Sequence, residues 1–152
     1  MEIKKVTIED LKQIVRLEQK IFKKNAFSRE LIENLIENNA IFLKLESRNI
    51  KKKLIGFIIA IMEKKDRVNI INFLINPKFH NKGYGSHLLQ NTIEIIKNLK
   101  QIKKIVLNVQ INNAAAIELY EKFNFKRNPV ILENYYQSGE SAYLMELDIN
   151  SL

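Results

Sequence analysis

The stretch Pro77-Lys78-Phe79-His80-Asn81-Lys82-Gly83-Tyr84-Gly85-Ser86-His87-Leu88-Leu89 carries two of the chain's four glycines and one of its two prolines. It follows a strand-like run, residues 68–75, and opens an apolar series at helical spacing: Leu88, Leu89, Thr92, Ile93, Ile96 and Leu99. Beyond that helix, residues 105–111 are rich in β-branched side chains and read as a second strand. Strand, helix and strand in this order imply a right-handed parallel crossover, so the quoted stretch is the turn on which a parallel pair is built.

Two glycines one residue apart at such a turn have two readings. They cap the passage from strand to helix, where the backbone must bend tightly. Alternatively they let main-chain N–H groups close on an anion, because the first turn of a helix has unpaired donors and the positive end of its dipole. Gly83, Tyr84, Gly85 and Ser86 would aim those donors at a phosphate, with Lys82 and His80 adding charge; a pyrophosphate would fit. The better-known phosphate loops are excluded by the letters. No GxxxxGK[ST] string occurs, and the third glycine of a dinucleotide fingerprint is replaced by Leu88.

Working outward, residues 2–6 read as a short strand. Thr7, with Asp10 three residues on, opens a helix whose apolar positions Ile8, Leu11, Ile14, Val15, Leu17 and Ile21 recur at helical spacing to about Phe22. Ser28 caps a second helix, with Leu31, Ile32, Leu35 and Ile36 as its buried stripe, ending near Asn38. Three strand-like runs follow, 40–46, 54–62 and 68–75, joined by charged connections that suit antiparallel hairpins. After the crossover come a short helix, 114–123, and two closing strands, about 127–133 and 142–149. The pattern is an α/β domain whose sheet is mostly antiparallel with one parallel pair, 68–75 beside 105–111.

The 152 residues have the length of one domain, 1–152, and apolar and charged fractions of 46% and 28% are those of a globular chain. There is no cysteine, which removes thiolate nucleophiles, disulfides and cysteine-ligated metals and fits a reducing compartment, the cytoplasm. No metal site is expected. No apolar run is long enough to span a bilayer, so no membrane partner is expected. The formal charge of +8 raises encounter rates with any anion. The basic residues form no long block interleaved with aromatics, which argues against nucleic acid as the main partner.

At the glycines, "FHNKGYGSHLL" resembles the acyl-CoA loop (Q/R-x-x-G-x-G/A) of the GNAT superfamily of N-acetyltransferases. Downstream, "LNVQINNAAAIELYEKFNF" is similar to the family's second signature, and the order of elements matches the family's across essentially the whole chain. More narrowly, "NNAAAIELYEKFNF" followed by "ENYYQSGESAYLMEL" resembles the protein N-terminal acetyltransferases, among them the bacterial type that modifies a ribosomal protein and its archaeal and eukaryotic relatives.

The resemblance implies helices on both faces of the sheet and a parallel pair that splays apart, with the thioester arm of acetyl-CoA lying between its strands like an added strand. It places the backbone of Phe73, Leu74 and Ile75 along the pantetheine and the pyrophosphate on the N–H groups of Asn81, Lys82, Gly83, Tyr84, Gly85 and Ser86. His80 stands where Gln or Arg is usual. Asn113 matches an asparagine that contacts the cofactor arm, and suits equally a helix N-cap. Tyr120 matches the tyrosine that protonates the departing CoA thiolate, a role a phenol within hydrogen-bond reach can fill. Where bacterial relatives have a glutamate base the chain has Asn108, which cannot take a proton but can orient a water. Tyr135 and Tyr136 fall in the loop that lies over the substrate peptide, with Glu133 beside them as a candidate for holding the amine or a water. Phe27 aligns loosely with an aromatic that shapes the pocket for the acceptor's first residue.

The function so implied is transfer of an acetyl group from acetyl-CoA, as cosubstrate, to the N-terminal α-amine of a protein or peptide, a ribosomal one included, by direct attack in a ternary complex. Two alternatives stay open: a small-molecule amine or lysine as acceptor, and a CoA-binding module without catalysis. The need for an auxiliary subunit is left open.

Overall fold

The computed structural model describes residues 1–38 and 40–151. In chain order the elements are β1 (Glu2–Lys5), α1 (Leu11–Phe22), α2 (Arg29–Glu37), β2 (Ile41–Glu46), β3 (Leu54–Lys64), β4 (Arg67–Ile75), α3 (Tyr84–Lys97), β5 (Lys104–Gln110), α4 (Ala114–Lys122), β6 (Lys126–Leu132) and β7 (Ala142–Asp148). Short 3-10 turns occupy Ile8–Asp10, Lys23–Asn25, Pro77–Phe79 and Ile149–Ser151. The strands are hydrogen-bonded in the order β1-β2-β3-β4-β5-β7-β6. The registered pairs β1–β2, β2–β3, β5–β7 and β6–β7 are antiparallel and β4–β5 is parallel, with α3 as its crossover. This is the mixed sheet, with a single parallel pair, that the order of sequence patterns implies.

The chain packs as two compact units, Met1–Ala60 with Asn72–Thr92 and Ile61–Ile71 with Ile93–Leu152. In the first, Thr7 and Asp10 form the anticipated capping box: the Thr7 N–H donates to Asp10 Oδ2 at 2.9 Å. One 3-10 turn precedes α1, and Ile8 in that turn is exposed rather than part of the buried stripe. α1 turns Leu11, Ile14, Val15, Leu17 and Glu18 inward. Ser28 caps α2 by accepting the Leu31 N–H at 3.1 Å.

β3 carries the feature that shapes the far end of β4. Leu45 of β2 faces Gly56 and Glu46 faces Leu54, so Ile55 is an extra residue, a bulge that frees its main chain from the ladder. The Ile55 carbonyl accepts the N–H of Asn76, the residue directly after β4, at 2.8 Å. Gly56 answers a close approach: a Cβ there would lie 2.5 Å from the Leu74 carbonyl oxygen and 2.6 Å from Ile75 Cδ1.

In the second unit β5 is registered with β7 along its whole length, from Lys104 opposite Asp148 to Gln110 opposite Ala142, which buries Ile105, Leu107, Met145 and Leu147. Its parallel register with β4 is short, from Arg67 opposite Lys104 to Ile70 opposite Leu107. β4 runs on to Ile75 and β5 to Gln110, beyond their last registered partners. β6 is the edge strand, which is where a sheet tolerates Pro129. Its register with β7 breaks between Arg127 and Ile131, around that proline.

Candidate active site

The glycine loop begins where β4 stops. Asn76 accepts the Lys78 N–H on its side chain at 3.1 Å, Pro77 opens a 3-10 turn, and the His80 N–H returns to the Pro77 carbonyl at 3.2 Å. Asn81 (φ 61°) and Gly83 (φ 80°) then take left-handed backbone, which Asn and Gly accept more readily than other residues. Nothing lies within 4 Å of the position a Gly83 Cβ would take. The reversal delivers Tyr84, Gly85 and Ser86 as the first turn of α3, whose N–H groups have no acceptor inside the helix. Lys82 is exposed beside them, while Phe79 and Tyr84 meet edge to face at 6.4 Å across the turn. His80, expected to add charge toward an anion, instead donates from Nε2 to the Ile75 carbonyl at 2.7 Å and braces the loop against the end of β4.

In the second unit β5 and the β6–β7 loop bring two of the sequence-predicted residues into contact. Asn108 Nδ2 donates to the Tyr135 hydroxyl at 2.9 Å. Its other end, Oδ1, is buried and has no hydrogen-bond partner among the described residues. A buried carboxamide oxygen without a donor is costly, on the order of 1–3 kcal/mol, so this oxygen is available to a water or a bound group. The loop is held in shape by the Tyr136 N–H on the Glu140 carbonyl at 3.1 Å, the Gly139 N–H on the Tyr136 carbonyl at 2.9 Å, and Gly139 at φ 96°. The rings of Tyr135 and Tyr136 stand edge to face, 5.0 Å apart. Burial, and then the neighbouring Tyr135, push the Tyr136 phenol up to about 12.

Tyr120 lies on the inner side of α4, only 7% exposed, its ring tilted against Phe125 at 5.8 Å. Burial pushes its phenol far above the ordinary tyrosine range, with the charge of Tyr136 as the second cause. Both phenols thus hold their protons at neutral pH. Asn113 is the N-cap of α4, its Oδ1 accepting the Ala116 N–H at 3.2 Å, which leaves its exposed Nδ2 able to donate elsewhere.

Alternating buried and half-exposed residues along β4, the left-handed glycine turn into α3, and a buried tyrosine on the helix after β5 coincide with what one family of enzymes shares. The family profile for the acetyltransferase (GNAT) family matches residues 8–125. The chain belongs to the acetyltransferase (GNAT) family. It is an acetyl-CoA-dependent acetyltransferase. An N-alpha-acetyltransferase of Sulfolobus acidocaldarius is 28% identical over 95% of this chain and 90% of its own length. The crystal structure of the ribosomal-protein-S18-alanine N-acetyltransferase from Escherichia coli superimposes with a TM-score of 0.84 at 26% identity, covering 97% of this chain and 93% of that one. Arabidopsis thaliana NAA60 in complex with acetyl-CoA shares the fold, with a TM-score of 0.87 at 17% identity over 98% of both chains.

Other predicted positions of the acetyltransferase are less engaged. Glu133 lies exposed at the head of the β6–β7 loop. Phe27 is half-buried between the Lys23–Asn25 turn and α2, in the first unit. Two residues that sequence patterns do not single out are structurally prominent: Gly56, and Glu18, which is fully buried with both carboxylate oxygens bonded. Glu18 was visible in principle, because it falls four residues after Ile14 on the apolar face of α1. No helix among the described residues is long and apolar enough to cross a membrane.

Proposed function

We propose that the chain acts as one catalytic domain that transfers the acetyl group of acetyl-CoA to the N-terminal α-amine of a protein or peptide, by direct attack in a ternary complex. The observation that carries this reading is the buried Oδ1 of Asn108, which has no hydrogen-bond partner among the described residues and is fixed in orientation by Tyr135. That oxygen accepts an N–H or a water proton but cannot remove one, so the acceptor must bring its own neutral fraction. An α-amine, which titrates at about 7.7 to 8.0 in a free peptide, is on the order of a tenth neutral near pH 7. A lysine at about 10.4 is more than two decades worse. The likeness to N-terminal acetyltransferases supports the same acceptor, of which a ribosomal protein is one candidate, in the cytoplasm.

In this reading the N–H groups of Asn81, Lys82, Gly83, Tyr84, Gly85 and Ser86 hold the diphosphate, and the backbone of Phe73, Leu74 and Ile75, with Asn113, meets the pantetheine arm. Phe27 meets the acceptor's first residue, and Tyr135, Tyr136 and Glu133 flank its backbone. The amine lone pair forms the C–N bond and the C–S bond breaks. The departing sulfur accepts a hydrogen bond from the Tyr120 hydroxyl, the general-acid position, and ends protonated as the nitrogen gives up its own proton to water held at Asn108, so that Tyr120 keeps its proton overall.

Thiol release from acetyl-CoA is measured with peptides differing in their first residue, an N-blocked lysine peptide and a polyamine. Turnover is expected only on free peptide N-termini. Turnover on polyamine or lysine moves the acceptor to that class, and CoA binding without turnover on any of them leaves a binding module. The rate constant kcat/KM should rise with pH and level off near the α-amine's pKa of about 8, since Asn108, which stands where relatives have the base, does not titrate. Asn108→Ala should lower kcat/KM roughly tenfold at every pH from 6 to 9, the worth of one hydrogen bond; an unchanged profile would remove Asn108 from the reaction.

A further inference from the structure

Glu18 has no exposed surface, yet it is an acid in a face otherwise made of Leu11, Ile14, Val15 and Leu17. Its Oε2 accepts the main-chain N–H of Phe27 at 2.8 Å, and its Oε1 accepts the Asn72 side-chain N–H at 2.8 Å. Asn72 is itself buried, at 8% exposure. Burial raises the Glu18 pKa, and the two donated hydrogen bonds act in the opposite sense. An apolar side chain would fill the position without a desolvation penalty, so packing alone does not account for a carboxyl group here.

What the two bonds supply is placement. Phe27 sits in the connection just before the Ser28 cap of α2. Asn72 immediately precedes Phe73, Leu74 and Ile75 on β4. One carboxyl group, carried by a third element, ties the main chain of the first to the side chain of the second.

We propose that Glu18 is a positioning residue for the acceptor: by bonding both Phe27 and Asn72 it fixes the aromatic that meets the acceptor's first residue relative to the start of the cofactor-binding run of β4. This rests on the acceptor reading given above. Neither Phe27 nor Glu18 needs to touch the reacting atoms, so the consequence of loosening the tie falls on acceptor binding and not on the bond-making step.

Glu18→Leu fills the space but offers no acceptor to the Phe27 N–H or to the Asn72 side chain, so both bonds are lost. The expected result is a KM for the acceptor peptide raised roughly tenfold, with kcat and the calorimetric affinity for CoA within about twofold. Glu18→Gln combined with Asn72→Asp restores both bonds with one reversed in polarity: the new amide oxygen accepts from Phe27 and its NH2 donates to the new carboxylate. That pair should bring KM back to within about threefold of the unmodified chain. An acceptor KM unmoved in the single variant, even with lowered thermal stability, overturns the proposal, because it leaves Glu18 a purely structural role. So does a double variant that keeps the high KM or fails to fold. If the single variant does not fold, the double variant alone decides, and a folded double variant with near-normal KM supports the proposal. Failure of the acceptor reading shows differently: the unmodified chain then acetylates no peptide N-terminus, and the proposal goes with it.

Discussion

Tyr120→Phe is expected to lower kcat roughly 100-fold while leaving the affinity for acetyl-CoA within about twofold, the lower end of what one general acid supplies. The ring of Tyr120 is packed against Phe125 and almost fully buried, and phenylalanine reproduces that packing. The substitution therefore removes the hydroxyl and little else. Burial holds the phenol protonated well past neutral pH. It also makes Tyr120 a weaker acid than the thiol of the leaving group, since a simple alkyl thiol such as that of cysteine titrates at about 8.5. Complete transfer from Tyr120 alone would be uphill, so in the proposed mechanism the group donates a strong hydrogen bond as charge gathers on sulfur. The overall proton balance is closed by the proton lost from the acceptor's nitrogen. Stopped-flow single turnovers separate this step from product release, and calorimetry gives the CoA affinity. A Tyr120→Phe variant with unchanged kcat would show that the charge on the leaving sulfur is met from elsewhere. One that loses CoA affinity instead would make Tyr120 part of the cofactor's wall.

Much of the architecture is legible because local chemistry and tertiary placement agree. Thr7 with Asp10, and Ser28 ahead of Leu31, start their helices by satisfying N–H groups that have no helical partner, and both caps form. The crossover follows from the order strand, helix, strand, and Asn81 and Gly83 supply the left-handed backbone that ends the turn and begins α3. Pro129 falls inside the closing strand read at about 127–133, and that strand lies on the sheet's edge, where a missing N–H costs no ladder bond. What stayed hidden depends on distant pairs. The Asn108–Tyr135 bond joins residues 27 positions apart, and Glu18 joins Asn72 across 54. His80 reads in the sequence as a polar group open to an anion, because nothing in the letters shows that the chain returns its ring to the Ile75 carbonyl. Residue type announced a polar role in each case, but only the fold supplied the partner.

Gly56→Ala is expected to destabilise the chain by about 2 to 3 kcal/mol, a fall in Tm on the order of 5 to 10 °C, and to weaken acetyl-CoA binding at the same time. The added methyl meets the Leu74 carbonyl oxygen at 2.5 Å and the Ile75 Cα at 3.1 Å. The Ile75 Cδ1 contact at 2.6 Å can be relieved by a rotamer change, but the other two are main chain. β3 is not free to retreat from them. Its bulge at Ile55 is locked to Asn76, and Phe57, Ile58, Ile59 and Ala60 are wholly buried. The strain therefore falls on β4 at Leu74 and Ile75, the residues proposed to run along the pantetheine, directly before the glycine loop. Stability and cofactor affinity should accordingly fall together, as they would not for a cavity made elsewhere in the core. Thermal melting and calorimetry with CoA, at a temperature where both proteins are folded, read the two effects separately. A melting point lowered with CoA affinity intact would detach the end of β4 from cofactor binding. Neither falling would mean that the two strands are farther apart at Gly56 than 2.5 Å allows.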